Sequence, residues 1–161
     1  MPADDGAFER DFRALWALSF RVARHVVDSR DDAEDVAAEA LARLHASWGR
    51  VGGQPWREAW LTRVTTNVAL DQLRRRRRLV GMAPAERAEP ADDAVVARLA
   101  LADALARLPR RQREVVVLRH LAGLPEQQVA DQLRVSVGSV KRHSHRALQK
   151  LSGLLAAPES T

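Results

Sequence analysis

The sequence has no cysteine among its 161 residues, which excludes disulfide bonds and thiol chemistry. It also has no run of about 20 apolar residues, the length that a helix needs to span a bilayer. Its first residues, MPADDGAFER, are acidic and do not resemble a signal peptide. Together these absences predict a cytoplasmic protein with no membrane insertion.

Patterns that carry catalysis are also missing. The chain contains no glycine-rich phosphate loop, no carboxylate pair with a supporting base and no nucleophile motif. His143 and His145 are two residues apart and point to different faces of a helix, so they do not suit a shared metal ion. We therefore expect no enzymatic activity, no cofactor and no metal site.

What the sequence does contain is helical periodicity. Hydrophobic residues make up 46% of the chain, which suits one or two small domains. They recur at spacings of three and four residues, and no segment alternates as a strand does. The pattern predicts an all-α fold of two small helical domains joined by an extended linker.

The predicted first domain, residues 1–78, has three helices. Asp31 or Asp32 is expected to cap the second helix, and the segment GRVGGQP, residues 49–55, predicts a loop before the third. Residues 79–93, LVGMAPAERAEPADD, combine two prolines with mostly acidic charge and predict a flexible linker. About four helices are expected in the second domain, residues 94–161.

The end of the chain predicts a helix-turn-helix, the motif whose second helix enters the major groove of DNA. A short helix, Pro125 to Leu133, precedes a tight turn and a longer helix that Ser136 is expected to cap. Cations on the polar face of the longer helix can contact phosphates or the O6 and N7 atoms of guanine. The alternative is an ordinary surface helix in a bundle.

A second candidate site lies on the third helix. Its members are Arg63, Asn67, Asp71 and Arg74, spaced by four, four and three residues, beside Trp56 and Trp60. The helix ends in five consecutive arginines, residues 74–78. Cations and an amide beside exposed aromatic rings suit single-stranded nucleic acid. The alternatives are core packing for the tryptophans and a solvated basic turn for the arginines.

Three segments in order resemble an extracytoplasmic-function (group 4) sigma factor of bacterial RNA polymerase, particularly the short actinobacterial members. They are RDDAEDVAAEALARLHASW, AWLTRVTTNVALDQLRRRRR and LPRRQREVVVLRHLAGLPEQQVADQLRVSVGSVKRHSHRALQKL. The resemblance implies a sigma2-like three-helix domain and a sigma4-like helix-turn-helix domain. It implies promoter recognition and DNA melting in transcription initiation. The alternative is a polymerase-independent helix-turn-helix regulator, since VSVGSVKRH also resembles response-regulator DNA-binding domains.

The resemblance also implies partners and residue roles. The partners are promoter DNA and the RNA polymerase core, through its β′ clamp helices and β flap, and the family allows an anti-sigma factor as well. Asp35 and Glu39 would bind the clamp. The implied −10 contacts are Trp56, Trp60, Arg63, Asn67, Arg74, Arg75, Arg76, Arg77 and Arg78. The implied −35 contacts are Ser139, Lys141, Arg142, His145 and Arg146.

Overall fold

The computed structural model of this protein describes residues 5–80 and 93–156. The first range contains α1 (Asp5–Arg24), α2 (Arg30–Ala46), α3 (Trp48–Val51) and α4 (Arg57–Val80). The second contains α5 (Asp93–Ala106), α6 (Arg110–Val116), a π-helical turn (Val117–Leu121), α7 (Glu126–Leu133) and α8 (Val137–Ala156). Every regular element in these two ranges is helical, which confirms the predicted all-α fold. No described helix combines the length and the hydropathy that crossing a membrane requires.

The first domain is a bundle of α1, α2 and α4 around an apolar core. Leu15, Leu44 and Leu61 are fully buried, one from each helix, as the three- and four-residue spacing predicts. Burying each such side chain contributes roughly 1.5–3 kcal/mol to stability. Ser19 and Thr65 are also buried, and their hydroxyls bond each other at 2.8 Å, so these polar groups are satisfied inside the core.

The cap of α2 differs from the prediction. Ser29 lies at the N-cap in an extended conformation, and its hydroxyl accepts a hydrogen bond from the backbone N–H of Asp32 at 3.0 Å. The expectation of a cap at Asp31 or Asp32 was wrong, because both residues lie inside the first turn. Their negative charge still stabilises that end of the helix, and the Asp32 carboxylate is turned toward α4.

The predicted loop at residues 49–55 is partly helical. The short helix α3 includes the first three residues of this segment, because Trp48 and Val51 are buried and hold the turn against the core. Gly52 follows it and lies against the Trp48 ring, where an added Cβ would come within 2.6 Å of the indole. Only glycine fits this close approach.

Helix α4 continues through Leu79 and Val80, two residues beyond the predicted end of the first domain. Helix α5 begins at Asp93, the last residue assigned to the linker. Residues 81–92, the rest of the predicted linker, lie outside the described residues.

The second domain contains the predicted helix-turn-helix. Arg134, the residue after α7, adopts the left-handed conformation with φ 57°, and α8 starts at Val137. The Ser136 hydroxyl accepts a hydrogen bond from the Ser139 N–H at 3.1 Å, as expected of an N-cap. Val140 packs with α7 in a buried cluster. Leu148 is 44% exposed, because it lies at the edge of the buried stripe of α8.

The two domains pack against each other through apolar residues. Leu105 and Leu108 belong to the same buried cluster as the core of the first domain. Ala59 of α4 belongs to a second cluster with Val115 and Leu118. Helix α4 contacts both α5 and the π-helical turn. The surface of α4 that carries the polar stripe is therefore in contact with the second domain.

Candidate nucleic-acid interface

The recognition helix α8 presents its predicted contact residues to solvent. Lys141, Arg142, His145 and Arg146 are all exposed, and Ser139 is half-buried. The Ser139 hydroxyl accepts a hydrogen bond from Arg142 at 2.9 Å, which orients that guanidinium. The opposite side of α8 is buried, so the cationic face has a fixed direction. Such a face can contact the phosphates and base edges of duplex DNA.

The polar stripe of α4 is arranged differently, because the second domain contacts it. We define the α4 stripe as Arg63, Asn67, Asp71 and Arg74. Arg63 Nη1 lies 3.4 Å from Glu114 Oε1. Asn67 Oδ1 accepts a hydrogen bond from Arg113 Nε at 3.0 Å. Arg74 donates a hydrogen bond to the backbone carbonyl of Ala106. Three of the four stripe residues therefore have partners beyond the linker.

Glu114 lies at the centre of this contact. Its side chain is only 1% exposed, and its carboxylate faces Arg63 together with Arg110 and Arg111, each at 3.2 Å. Burial lowers the pKa of the Arg63 guanidinium from its ordinary value, and the Glu114 carboxylate partly opposes that shift. The carboxylate thus compensates part of the cost of burying a cation at the domain interface.

Arg113 is buried beside Glu114, with 4% of its surface exposed. Burial lowers the pKa of its guanidinium, and the positive charge of Arg74 adds to the effect. Its Nε–H is satisfied by Asn67 Oδ1, so this amide supplies a hydrogen-bond acceptor to a desolvated cation.

The two predicted tryptophans are not exposed platforms. Trp60 is 5% exposed and belongs to the main apolar cluster, so of the two possibilities for this ring the structure shows core packing. The Arg63 guanidinium lies 5.9 Å from the centre of its ring. Trp56 is half-buried and contacts both apolar clusters. Core packing, the alternative reading of these rings, describes Trp60 because its indole completes the apolar face of α4.

The arginines of the run at residues 74–78 differ in their exposure and in their partners. Arg75 and Arg78 are exposed, and the side chain of Arg77 lies outside the part of the chain that the structure describes. Arg76 is paired with Asp32 on α2, with Nη1 2.7 Å from Oδ2. Arg74 contacts the second domain through the Ala106 carbonyl. The four arginines of the run whose side chains the structure describes therefore have different surroundings.

The two predicted polymerase contacts lie on α2. Asp35 and Glu39 are exposed, one helical turn apart, and Glu39 pairs with Arg43 at 2.8 Å. They border a groove between α2 and α4, to which Asp71 and Arg75 also contribute. The structure thus brings both carboxylates to one accessible surface.

Sequence reasoning missed the residues that cover the α4 stripe. These are Arg110, Arg111, Arg113 and Glu114, within the segment PRRQREVVV. The only signal for them was that Glu114 directly precedes an apolar run. A carboxylate at such a position needs a partner once the helix is buried. Nothing in the spacing indicated that Arg63 and Asn67 would be facing this segment.

Comparison with known proteins matches both domains. The model of Sigma-70 region 2 matches residues 12–79, and that of Sigma-70 region 4 matches residues 98–151. The RNA polymerase sigma-E factor of Streptomyces coelicolor is 35% identical over 93% of this chain and 86% of its own length. The ECF RNA polymerase sigma factor SigM of Mycobacterium tuberculosis is 33% identical, over 94% of this chain and 79% of its own length.

A solved structure shares the fold. The sigma factor RpoE of Bartonella quintana, crystallised with the anti-sigma factor NepR, superimposes with a TM-score of 0.58 at 23% identity. The alignment covers 94% of this chain and 98% of that chain.

The described residues of this chain are all-α, and its recognition helix α8 is capped, exposed and cationic. The chain is therefore a helix-turn-helix DNA-binding protein. Because both region models match in order, and relatives above 30% identity span most of the chain, it belongs to the sigma-70 family, among the extracytoplasmic-function sigma factors. The predicted family and role in transcription initiation are confirmed. A polymerase-independent regulator is not favoured, because the first domain matches Sigma-70 region 2.

Proposed function

We propose that this sigma factor works through three surfaces: α2 binds core RNA polymerase, α4 captures the −10 element and α8 recognises the −35 element. The observation that carries the proposal is the exposed cationic face of α8, backed by buried Val140, Ala147 and Leu151. The protein recruits polymerase to promoters in the cytoplasm and performs no chemistry of its own. Its partners are the β′ clamp helices and β flap of the core, promoter DNA and, as the family allows, an anti-sigma factor.

The −35 contacts come from the face of α8 that carries Ser139, Lys141, Arg142, His145 and Arg146. Lys141 and Arg142 lie in the first turns of the helix, the part that enters the major groove in helix-turn-helix proteins. Lys141 Nζ lies 3.9 Å from Glu126 Oε2, a loose and exposed pair that a DNA phosphate can replace. Arginine forms bidentate hydrogen bonds with guanine, so Arg142 and Arg146 supply base recognition.

The −10 contacts come from α4 and the segment before it. The Asn67 amide carries a donor for an unstacked base beside the oxygen that Arg113 contacts, and Arg63 and Arg74 supply positive charge on either side. Trp56, half-buried directly before α4, would border the pocket for a flipped base. Trp60 supports this site from the core. Arg75, Arg76, Arg77 and Arg78 continue the same helix toward duplex phosphates.

Polymerase docking uses the accessible carboxylates of α2. Asp35 and Glu39 are exposed beside a groove, and Glu39 pairs with Arg43, an exposed arginine of the same helix. Exposed pairs of this kind contribute little to folding, so these charges are available to a basic partner surface.

In vitro transcription with core polymerase over a promoter library tests the proposal. Core with this protein should yield transcripts from a defined subset of promoters, and core alone should yield none of them. The Lys141→Ala/Arg142→Ala variant should lose that activity. Lys150→Ala, an exposed cation about two and a half turns further along α8, is the matched control and should retain it. Tight operator binding without polymerase, with no melting when polymerase is added, would contradict the proposal.

A further inference from the structure

We propose that this protein has a binding site for a diphosphate anion, either free pyrophosphate or the diphosphate group of a nucleotide. The site is a cavity of about 390 Å³ between α4, α6 and the end of α7, which we call the arginine cavity. The described residues that line it include none of the proposed −35 contacts, so the site is separate from the cationic face of α8. Its polar lining residues are Arg63, Arg110, Arg111, Glu114, Gln132 and Arg134.

The first support is the excess of positive charge around the arginine cavity. Four guanidinium groups and one carboxylate, that of Glu114, line it, which leaves an excess of three positive charges. A single phosphate monoester carries a charge of about −1.5 to −2 at neutral pH and would neutralise only part of this excess. A diphosphate brings more negative charge in a compact group, so it matches the lining better.

The second support is that three arginines already converge on one anion. Arg63 Nη1 and Arg110 Nε lie 3.4 and 3.2 Å from Glu114 Oε1, and Arg111 Nη1 lies 3.2 Å from Oε2. Each contact uses one nitrogen of a group that carries several N–H donors, so other donors of the same groups are left for a second anion. Arg110 and Arg111 are exposed whereas Glu114 is buried, so an incoming anion meets guanidinium groups before it meets the carboxylate.

The third support is a set of buried polar atoms that have no hydrogen-bond partner among the described residues. Both polar atoms of the Gln132 amide, Oε1 and Nε2, belong to this set, and so does Arg63 Nε. Buried polar groups are normally satisfied by protein, by ordered water or by a ligand. The Arg63 Nε–H and the Gln132 amide N–H groups are donors, which phosphate oxygens accept. A diphosphate in the arginine cavity would therefore supply acceptors that the protein itself does not provide.

Arg134 lines the arginine cavity from the turn after α7. Its backbone adopts the left-handed conformation with φ 57°, which glycine occupies with less strain than any other residue. The turn itself therefore favours glycine and does not require a cationic side chain. The Arg134 side chain is exposed and faces the same cavity as Arg110 and Arg111. A role in anion binding accounts for an arginine at this position.

The lining also indicates which part of a nucleotide would be recognised. None of the described residues that line the arginine cavity is aromatic, so a nucleobase would find no ring on which to stack. Guanidinium groups bind phosphate oxygens through paired, charge-assisted hydrogen bonds. We therefore expect pyrophosphate and ADP to bind with similar affinity. Orthophosphate should bind at least about tenfold more weakly, because it lacks the charge-assisted hydrogen bonds of the second phosphate.

Isothermal titration calorimetry of the full-length chain tests the site, with pyrophosphate, ADP and orthophosphate as separate titrants in magnesium-free buffer. A single pyrophosphate should bind per chain, and its affinity should fall with salt because Arg110 and Arg111 are exposed. Similar affinity for ADP would show that the diphosphate alone is recognised. Tighter binding of ADP would identify a nucleotide as the source of the diphosphate, and weaker binding would identify free pyrophosphate. Each of these three results supports a diphosphate site.

Two substitutions should weaken pyrophosphate binding and preserve the fold. Arg134→Gly removes one guanidinium and places glycine where φ is 57°, and it should lower the affinity about tenfold. Gln132→Leu removes the unpaired amide and should also lower the affinity. The melting temperature of Gln132→Leu without ligand should stay the same or rise, because an unsatisfied buried group is replaced by an apolar one. Arg107→Ala, an exposed arginine of the second domain that does not line the cavity, is the matched control and should bind as the wild type does.

Three results would overturn the diphosphate site. The first is the absence of pyrophosphate binding, and the second is binding that both Arg134→Gly and Gln132→Leu leave unchanged. The third is loss of binding in Arg75→Ala/Arg78→Ala but not in Arg134→Gly, which would place the anion on the basic run of α4. These titrations use neither polymerase nor DNA, so their outcome is independent of whether the protein directs transcription from a promoter.

Discussion

Arg76 of α4 forms a two-point contact with Asp32 of α2, with Nη1 and Nη2 each 2.7 Å from a different carboxylate oxygen. Gln72 donates a further hydrogen bond to the same carboxylate at 3.0 Å. The Asp32 side chain is 9% exposed, so this contact ties the end of α4 to the start of α2. One arginine of the basic run therefore stabilises the first domain, while Arg75 and Arg78 face solvent.

The first prediction concerns stability. Arg76→Ala leaves a largely buried carboxylate with only the Gln72 amide, and should lower the free energy of unfolding by about 1–3 kcal/mol. Arg75→Ala, its exposed neighbour, should change it by less than about 0.5 kcal/mol. Urea unfolding followed by far-UV circular dichroism measures both. If the two substitutions change the free energy of unfolding equally, Arg76 belongs to a solvated basic turn and does not stabilise the domain.

The second prediction concerns the salt dependence of promoter binding. Arg75→Ala/Arg78→Ala should reduce the slope of log affinity against log salt by about one unit for each phosphate that the variant no longer neutralises. Preference among promoters should hardly change, because phosphate contacts carry no sequence information. Titrations of promoter DNA with holoenzyme at several salt concentrations measure the slope. Arg21→Ala, an exposed cation on α1, is the control, and an unchanged slope in the double variant would exclude duplex contact.

The third prediction separates the two DNA-binding surfaces. Arg146→Ala should weaken holoenzyme binding to duplex promoter DNA by about 1–3 kcal/mol, because the variant cannot hydrogen-bond a base of the duplex at this position. Asn67→Ala should leave that binding nearly intact and reduce the permanganate reactivity of −10 thymines, because its base becomes available only after melting. If Asn67→Ala weakens duplex binding as much as Arg146→Ala, the division of roles is wrong.

The fourth prediction concerns polymerase docking. Glu39→Arg reverses a charge on the accessible surface of α2 and should abolish co-elution with core polymerase. The melting temperature should hardly change, because Glu39 forms only an exposed pair with Arg43. Glu34→Arg is the matched control on another side of α2, and it should still bind core. If Glu39→Arg co-elutes with core polymerase as strongly as the wild type, this face of α2 is not the docking surface.

The local features of this protein were determined by its sequence. The three- and four-residue spacing predicted the burial of Leu15, Leu44 and Leu61, because helical periodicity depends only on neighbours along the chain. The same holds for the helix-turn-helix, where Ser136 caps α8 as predicted. Cationic residues on the outer face of α8 were predicted for the same reason, since that face follows once the buried side is known.

Only the tertiary structure determined which residues the polar side of each helix contacts. The pairs Arg63–Glu114 and Asn67–Arg113 join residues 51 and 46 positions apart, and no local pattern indicates such partners. The sequence left Trp60 open between an exposed ring and core packing, and the core covers it, because an aromatic ring beside a polar stripe can face either way until neighbouring helices pack. Spacing along a helix fixes which residues share a face, whereas the burial of that face depends on the helices folded against it.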